Sequence, residues 1–132
     1  MESAAVRRRT MQAVKSKDTA PELTVRRLAH GMGYRYRLHR KDLPGKPDMV
    51  FPGCRKVIFI HSCFWHGHEC RRGNRIPEGN RDYWLKKIAR NKERDQAAAT
   101  ALKALGWKVR IFWECEIKDQ DMVVKNLQRF LG

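Results

Sequence analysis

The chain has 132 residues, 42% of them hydrophobic, which is enough for one domain with a core of its own. Its 29 lysines and arginines against 14 aspartates and glutamates give a formal net charge of +15, which suits a polyanion such as nucleic acid better than a neutral or acidic partner. No run of about 18 apolar residues exists to span a membrane, and no apolar leader opens the chain, so a cytoplasmic, nucleoid-associated protein is expected.

Residues 1–18 are polar and basic, including Arg7-Arg8-Arg9, Lys15 and Lys17. They read equally as a frayed tail or as an arm that orders on DNA, ahead of a single domain over 19–132. Thr19-Ala20-Pro21-Glu22 starts a helix: Thr19 can cap it, Pro21 fits its first turn, and Glu22 completes a capping box. Leu23, Val25, Leu28 and Ala29 give it an apolar stripe that ends at Gly31 or Gly33. Residues 34–38 alternate Tyr34, Tyr36 and Leu38 with Arg35 and Arg37, the pattern of a half-exposed strand. After the turn Leu43-Pro44-Gly45-Lys46-Pro47, residues 48–51 enter a second short strand. The β-rich run over 56–61 reads as a third, buried and central.

A loop rich in Arg, Gly, Asn and Pro follows over 71–80, then a long helix over 81–105. Trp84, Leu85, Ile88, Ala98, Leu102 and Leu105 supply that helix's apolar positions, and Gly106 stops it. Its residues Lys86, Lys87, Arg90, Lys92 and Arg94 form a solvated basic face. Residues 107–113 read as a fourth strand. A final amphipathic helix starts at Asp119 or Asp121 and runs through Val123, Val124, Leu127, Phe130 and Leu131. This order favours a mixed sheet flanked by helices.

Between the third strand and the long helix lies Cys63-Phe64-Trp65-His66-Gly67-His68-Glu69-Cys70. The chain's four cysteines read first as thiols or metal ligands, because the expected compartment is reducing. Cys63, His68 and Cys70 in one loop, with Cys115 past the end of the last strand, make a closed tetrahedral set for structural Zn²⁺. His66 competes with His68 for that role, Cys54 is spare, and a Cys63–Cys70 disulfide is the alternative.

Pro47-Asp48 opening a strand is a weak signal by itself. It is joined in order by Leu43-Pro44-Gly45-Lys46, by residues 57–70, by Trp84-Leu85-Lys86-Lys87-Ile88, by Asn91-Lys92-Glu93-Arg94-Asp95, by Leu105-Gly106-Trp107 and by Trp113-Glu114-Cys115. Together these closely resemble the very short patch repair (Vsr) endonucleases of the PD-(D/E)xK nuclease superfamily, over about residues 8–117. The resemblance implies a single-domain α/β, restriction-endonuclease-like fold with a central mixed β-sheet and a structural zinc site. It implies a Mg²⁺-dependent endonuclease that nicks double-stranded DNA 5′ to the T of a T:G mismatch left by deamination of 5-methylcytosine. It also implies mismatch repair proteins as helpers, and a single compact domain suggests a monomer.

The superfamily's acidic-x-Lys triplet is absent here, because Phe59 and His61 stand in its places. By resemblance, Asp48 is then the one strong carboxylate ligand for one or two Mg²⁺ ions, assisted by the backbone carbonyl of Ile60, where the family often has Thr. His66 matches the family's general base, His61 its second active-site histidine, and Glu22 a carboxylate that orients the site, against its simpler reading as a helix cap. Gly67 and Glu69 replace part of a usual histidine run. Phe64 and Trp65 would wedge into the DNA stack, which a mismatched step resists less, or else lie in the core beneath the zinc loop. Trp84 resembles a third wedge aromatic and is equally a plausible helix anchor.

Overall fold

The computed structural model describes residues 19–38, 40–66, 68, 70 and 78–132. The proposed arm over 1–18, Gly67, Glu69 and most of the loop over 71–80 lie outside the described residues. In chain order the elements are α1 (Ala20–Gly31), β1 (Met49–Phe51), β2 (Lys56–His61), α2 (Arg81–Ala104), β3 (Lys108–Trp113), the single turn α3 (Glu114–Ile117) and α4 (Gln120–Leu131). The sheet order is β1-β2-β3. β1 runs antiparallel to β2, and β2 parallel to β3 with His61 opposite Trp113. A parallel pair needs a crossover, and the connection through α2 supplies it. This is the mixed, helix-flanked α/β fold expected from the element order.

Strand alternation sends β2 to both faces. Ile58 and Ile60 join Met49, Phe51 and Phe112 in a core that Val25 and Ala29 of α1 and Val123, Leu127 and Leu131 of α4 complete. Val57 and Phe59 pack the other way, with Val50, Leu43 and Leu102 of α2. A central strand covered on both faces reads as continuous apolar sequence, which is why β2 was legible. At its start, two cations tie in the helices. Arg55 Nη2 donates to the Leu105 carbonyl at 2.8 Å, and Lys56 Nζ to the Phe130 carbonyl at 2.6 Å, where helix C-termini leave acceptors unpaired.

Three local readings need correction. Residues 34–38 form no strand; only Arg37 bridges to Val50, through bonds of 2.8 and 2.9 Å. β1 has three residues, so its outer edge offers one outward-facing pair, that of Val50. Thr19 makes no side-chain cap bond on α1, whereas Asp119 does cap α4, accepting from the Met122 N–H. Leu85 and Leu105 are exposed. The inner stripe of α2 instead runs through Ile88, Asn91 and Leu102, the residues it buries.

Gly45 holds the turn before β1 tight. Its φ is +73°, and a Cβ there would sit 2.6 Å from that of Ala98 and 3.2 Å from the Phe59 ring. The turn leading to Asp48 is therefore pressed against both α2 and β2.

Candidate active site and metal cluster

The C-terminal ends of β2 and β3 and the middle of α2 converge on one cleft of about 1330 Å³, whose walls include Glu22, Asp48, Ile60, His61, His66 and Asp95. Asp48 arrives at the start of β1. Its Oδ2 accepts the Ile60 N–H at 2.6 Å, which fixes the carboxylate against β2 beside the Ile60 backbone. Burial pushes its carboxyl up to about 7; the Ile60 N–H works against that, and Glu22 pushes it further up. Glu22, buried on α1, accepts from Arg26 Nη2 at 3.0 Å. Thus two carboxylates share a partly dry site, an arrangement that a cation would relieve. Oxygen donors of this kind suit Mg²⁺.

The two histidines sit face to face. The rings of His61 and His66 stack at 3.8 Å with an interplanar angle of 4°. His66 Nδ1 lies 2.5 Å from Asp95 Oδ2. A carboxylate can only accept, so Nδ1 is the ring's donor to Asp95, and Nε2 is the nitrogen left for other partners. His61 is buried on the α2 face of β2, and its Nδ1, 3.9 Å from Asp95 Oδ2, has no hydrogen-bond partner among the described residues. Burial and the neighbouring His66 hold the His61 imidazole down to about 4, against the pull of Asp95, so it is neutral at physiological pH.

Past the strand, residues 62–66 turn sharply. The Trp65 N–H donates to Ser62 Oγ at 3.3 Å and the His66 N–H to the Ser62 carbonyl at 3.2 Å. Asn91 of α2 clamps this turn by donating Nδ2 to the Trp65 carbonyl at 2.7 Å. The turn presents Phe64 and Trp65 half-buried and outside both core clusters, so the core reading for them fails. With Trp84 they form a triangle of edge-on rings, at 5.2 Å for Phe64–Trp65, 5.6 Å for Phe64–Trp84 and 5.5 Å for Trp65–Trp84. Lys87 Nζ lies 5.1 Å from the centre of the Trp65 ring.

The cysteine set also assembles. The candidate ligand atoms of Cys63, His68, Cys70 and Cys115 all lie within 4.8 Å of one another. Cys115 Sγ is 3.5 Å from His68 Nδ1, and the Cys115 N–H points at Cys63 Sγ at 3.4 Å. All four cysteines are free thiols, and Cys54 is exposed and apart from the cluster. Burial pushes the Cys63 thiol up to about 12, a state that a metal would reverse by binding the thiolate. The donors, three thiols and an imidazole, fit a closed structural site. His66, committed to Asp95, is not among them. The two centres share a wall. Trp113 stacks on His68 at 4.2 Å and meets His61 edge-on at 5.3 Å.

The residues the sequence offered as catalytic, metal-ligating or wedge candidates fall in one of these two groups or in the aromatic triangle, and Cys54 stands outside them. Asp95, Asn91 and Trp113 went unassigned. The signal for the first two was their spacing of four along the inner stripe of α2, where polar residues need a reason to be.

A family model described as DNA mismatch endonuclease Vsr matches residues 2–72, which include Asp48, His61 and His66. Among similar proteins, the type II nicking enzyme V.XorIIP of Xanthomonas oryzae is 53% identical, over 95% of this chain and 91% of its own length. The type II nicking enzyme V.NmeAIP of Neisseria meningitidis is 44% identical, over 92% and 86%. The DNA mismatch endonuclease Vsr of Escherichia coli is 40% identical, over 89% and 74%. The protein therefore belongs to the DNA mismatch endonuclease Vsr family and is a DNA endonuclease.

Proposed function

We propose that the protein nicks one strand of double-stranded DNA 5′ to the T of a T:G mismatch, by Mg²⁺-dependent hydrolysis that starts very short patch repair. The observation that carries this reading is the grouping of Asp48, His61, His66 and Asp95 in one cleft, with Phe64 and Trp65 at its wall. A DNA-binding module without catalysis would leave that grouping idle.

Asp48 and the Ile60 carbonyl would hold the Mg²⁺, which supplies charge neutralisation to the phosphate. His66 would take the proton of the attacking water at Nε2, because Asp95 holds its Nδ1–H and fixes the ring. His61, neutral and stacked on His66, would face the phosphate. Glu22, held by Arg26, would orient Asp48. Zn²⁺ on Cys63, His68, Cys70 and Cys115 would keep the turn over 62–66 rigid. Phe64, Trp65 and Trp84 would enter the stack at the mismatched step, which is the easiest to open. The basic arm over 1–18 would close on the duplex, and one copy of the chain would suffice.

The test is strand-specific nicking of an end-labelled duplex with one T:G mismatch beside its T:A twin, in several flanking contexts, with and without Mg²⁺. A Mg²⁺-dependent nick 5′ to the mismatched T alone is expected. Cleavage of both duplexes would replace mismatch repair with a restriction-type specificity on the same fold.

A further inference from the structure

Inside the cleft described above, His61, His66 and Asp95 form a set of metal donors that shares no residue with the Asp48–Ile60 pair or with the cysteine cluster. His61, His66 and Asp95 each offer one ligand atom, and these atoms lie within 4.8 Å of one another. Asp95 Oδ2 is 2.5 Å from His66 Nδ1 and 3.9 Å from His61 Nδ1, so both imidazole nitrogens face the same carboxylate oxygen. His61 is 5% exposed, and its Nδ1 is buried with no hydrogen-bond partner among the described residues. A buried polar atom left in this state calls for a partner. A second opening of about 660 Å³, lined by Lys92, Asp95, Gln96 and Trp113 as well as both histidines, gives access from solvent.

Two imidazoles and one carboxylate are the wrong donors for Mg²⁺ and the right ones for Zn²⁺, Co²⁺ or Ni²⁺. Ligand bonds of about 2.0–2.1 Å need donors roughly 3.3 Å apart with each ring edge-on to the ion, so the His61 and His66 rings, now parallel at 3.8 Å, must unstack to share it. Three protein ligands would leave a fourth position open to water.

We propose that His61, His66 and Asp95 bind one divalent transition ion of this borderline class, and that its binding shuts off nicking. The inhibitory half rests on the function proposed above, in which His66 must keep a free nitrogen and an Asp95 contact. An ion on Nδ1 takes Asp95 away from His66 and places a positive charge beside the group that must accept a proton. The endonuclease is thereby sensitive to the balance of Mg²⁺ and transition ions.

The experiment is Co²⁺ titration of protein already loaded with zinc at its cysteines, followed by visible absorption and by nicking at fixed Mg²⁺. One equivalent is expected to bind, with the weak visible bands of a nitrogen–oxygen site and without thiolate-to-metal charge transfer in the near ultraviolet. Asp48→Asn should bind it unchanged, because the oxygen site is separate. His66→Gln and Asp95→Asn should each weaken it at least about tenfold, the least that a change close to a metal usually costs. In the wild type, nicking should fall over the same Co²⁺ range. Charge transfer alone would mean exchange into the cysteines, and equal binding in both ligand variants would mean a site elsewhere. Either result overturns the proposal. Binding with unimpaired nicking overturns the inhibition. If no duplex is nicked under any condition, the proposed function fails, while the absorption titration still decides the site.

Discussion

A carboxyl lifted to about 7 binds a cation only after it has lost its proton, and Asp48 is in that position. In zinc-loaded protein the Mg²⁺ concentration for half-maximal nicking should rise about tenfold for each pH unit below 7, because proton and metal compete; a flat dependence would remove Asp48 from the metal. The same shift sets a stability test. The folded carboxyl binds its proton more tightly than the unfolded one, whose value is near 3.8. Its contribution is therefore full at acid pH and is lost as pH rises through about 7. Asp48→Asn should abolish nicking. It should also stabilise the Mg²⁺-free protein at pH 8, by of the order of 1–3 kcal/mol, with no gain at pH 4, in paired thermal melts. Phe64 touches Trp65 and Trp84 only by ring edges. Phe64→Ala should cut the preference for T:G over T:A about tenfold in competitive nicking, the scale of 1–3 kcal/mol of base stacking; undiminished preference would remove the wedge. At this scale the metal-ligand residue types were legible because cysteine and histidine are scarce and clustered. Asp95 was harder to read, because its spacing of four from Asn91 marks a shared helix face but nothing local says that this face turns inward.

Among the elements, α2 does two jobs that one apolar stripe cannot encode. It covers the β2 face through Leu102 and reaches the cleft through Asn91 and Asp95. A purely apolar reading of its period placed Leu85 and Leu105 inside, although both are exposed, and passed over the buried Asn91. Asn91→Ala leaves the Trp65 carbonyl without its Nδ2 donor and takes the Oδ1 acceptor from Arg94. We expect a loss of about 1–3 kcal/mol in denaturant unfolding, with a larger fractional loss of nicking than of DNA binding, because the turn that carries Phe64 to His66 is freed. The residues 34–38 show the converse limit. Their alternation correctly says which side chains face in, since Tyr34, Tyr36 and Leu38 pack on the core. It cannot say that the neighbouring strand is too short to pair with.

The molecule as a whole is built around one pair of parallel strands that end together. His61 and Trp113 are partners in register, and the cysteine cluster takes Cys63 from just beyond one strand and Cys115 from just beyond the other. Removing a ligand should therefore be felt across the fold. Cys115→Ser should lower zinc content below one per chain and lower Tm by several degrees, the effect of losing 1–2 kcal/mol or more in a domain of about this size; full zinc stoichiometry would dismiss the assigned set. The fold class was legible because β2 and the helix stripes are strongly patterned. The sheet's strand order was not, since pairing across 52 residues leaves no local trace. That separation has a consequence for the order of assembly. Closing so long a loop costs chain entropy that only the docked crossover and the shared cluster repay, so parallel pairing comes late. A chain still emerging from the ribosome carries Asp48, His61 and His66 well before it carries the strand and the thiol that hold them in place. A cleft whose wall includes Ile111 of β3 is therefore complete only when β3 has docked beside β2.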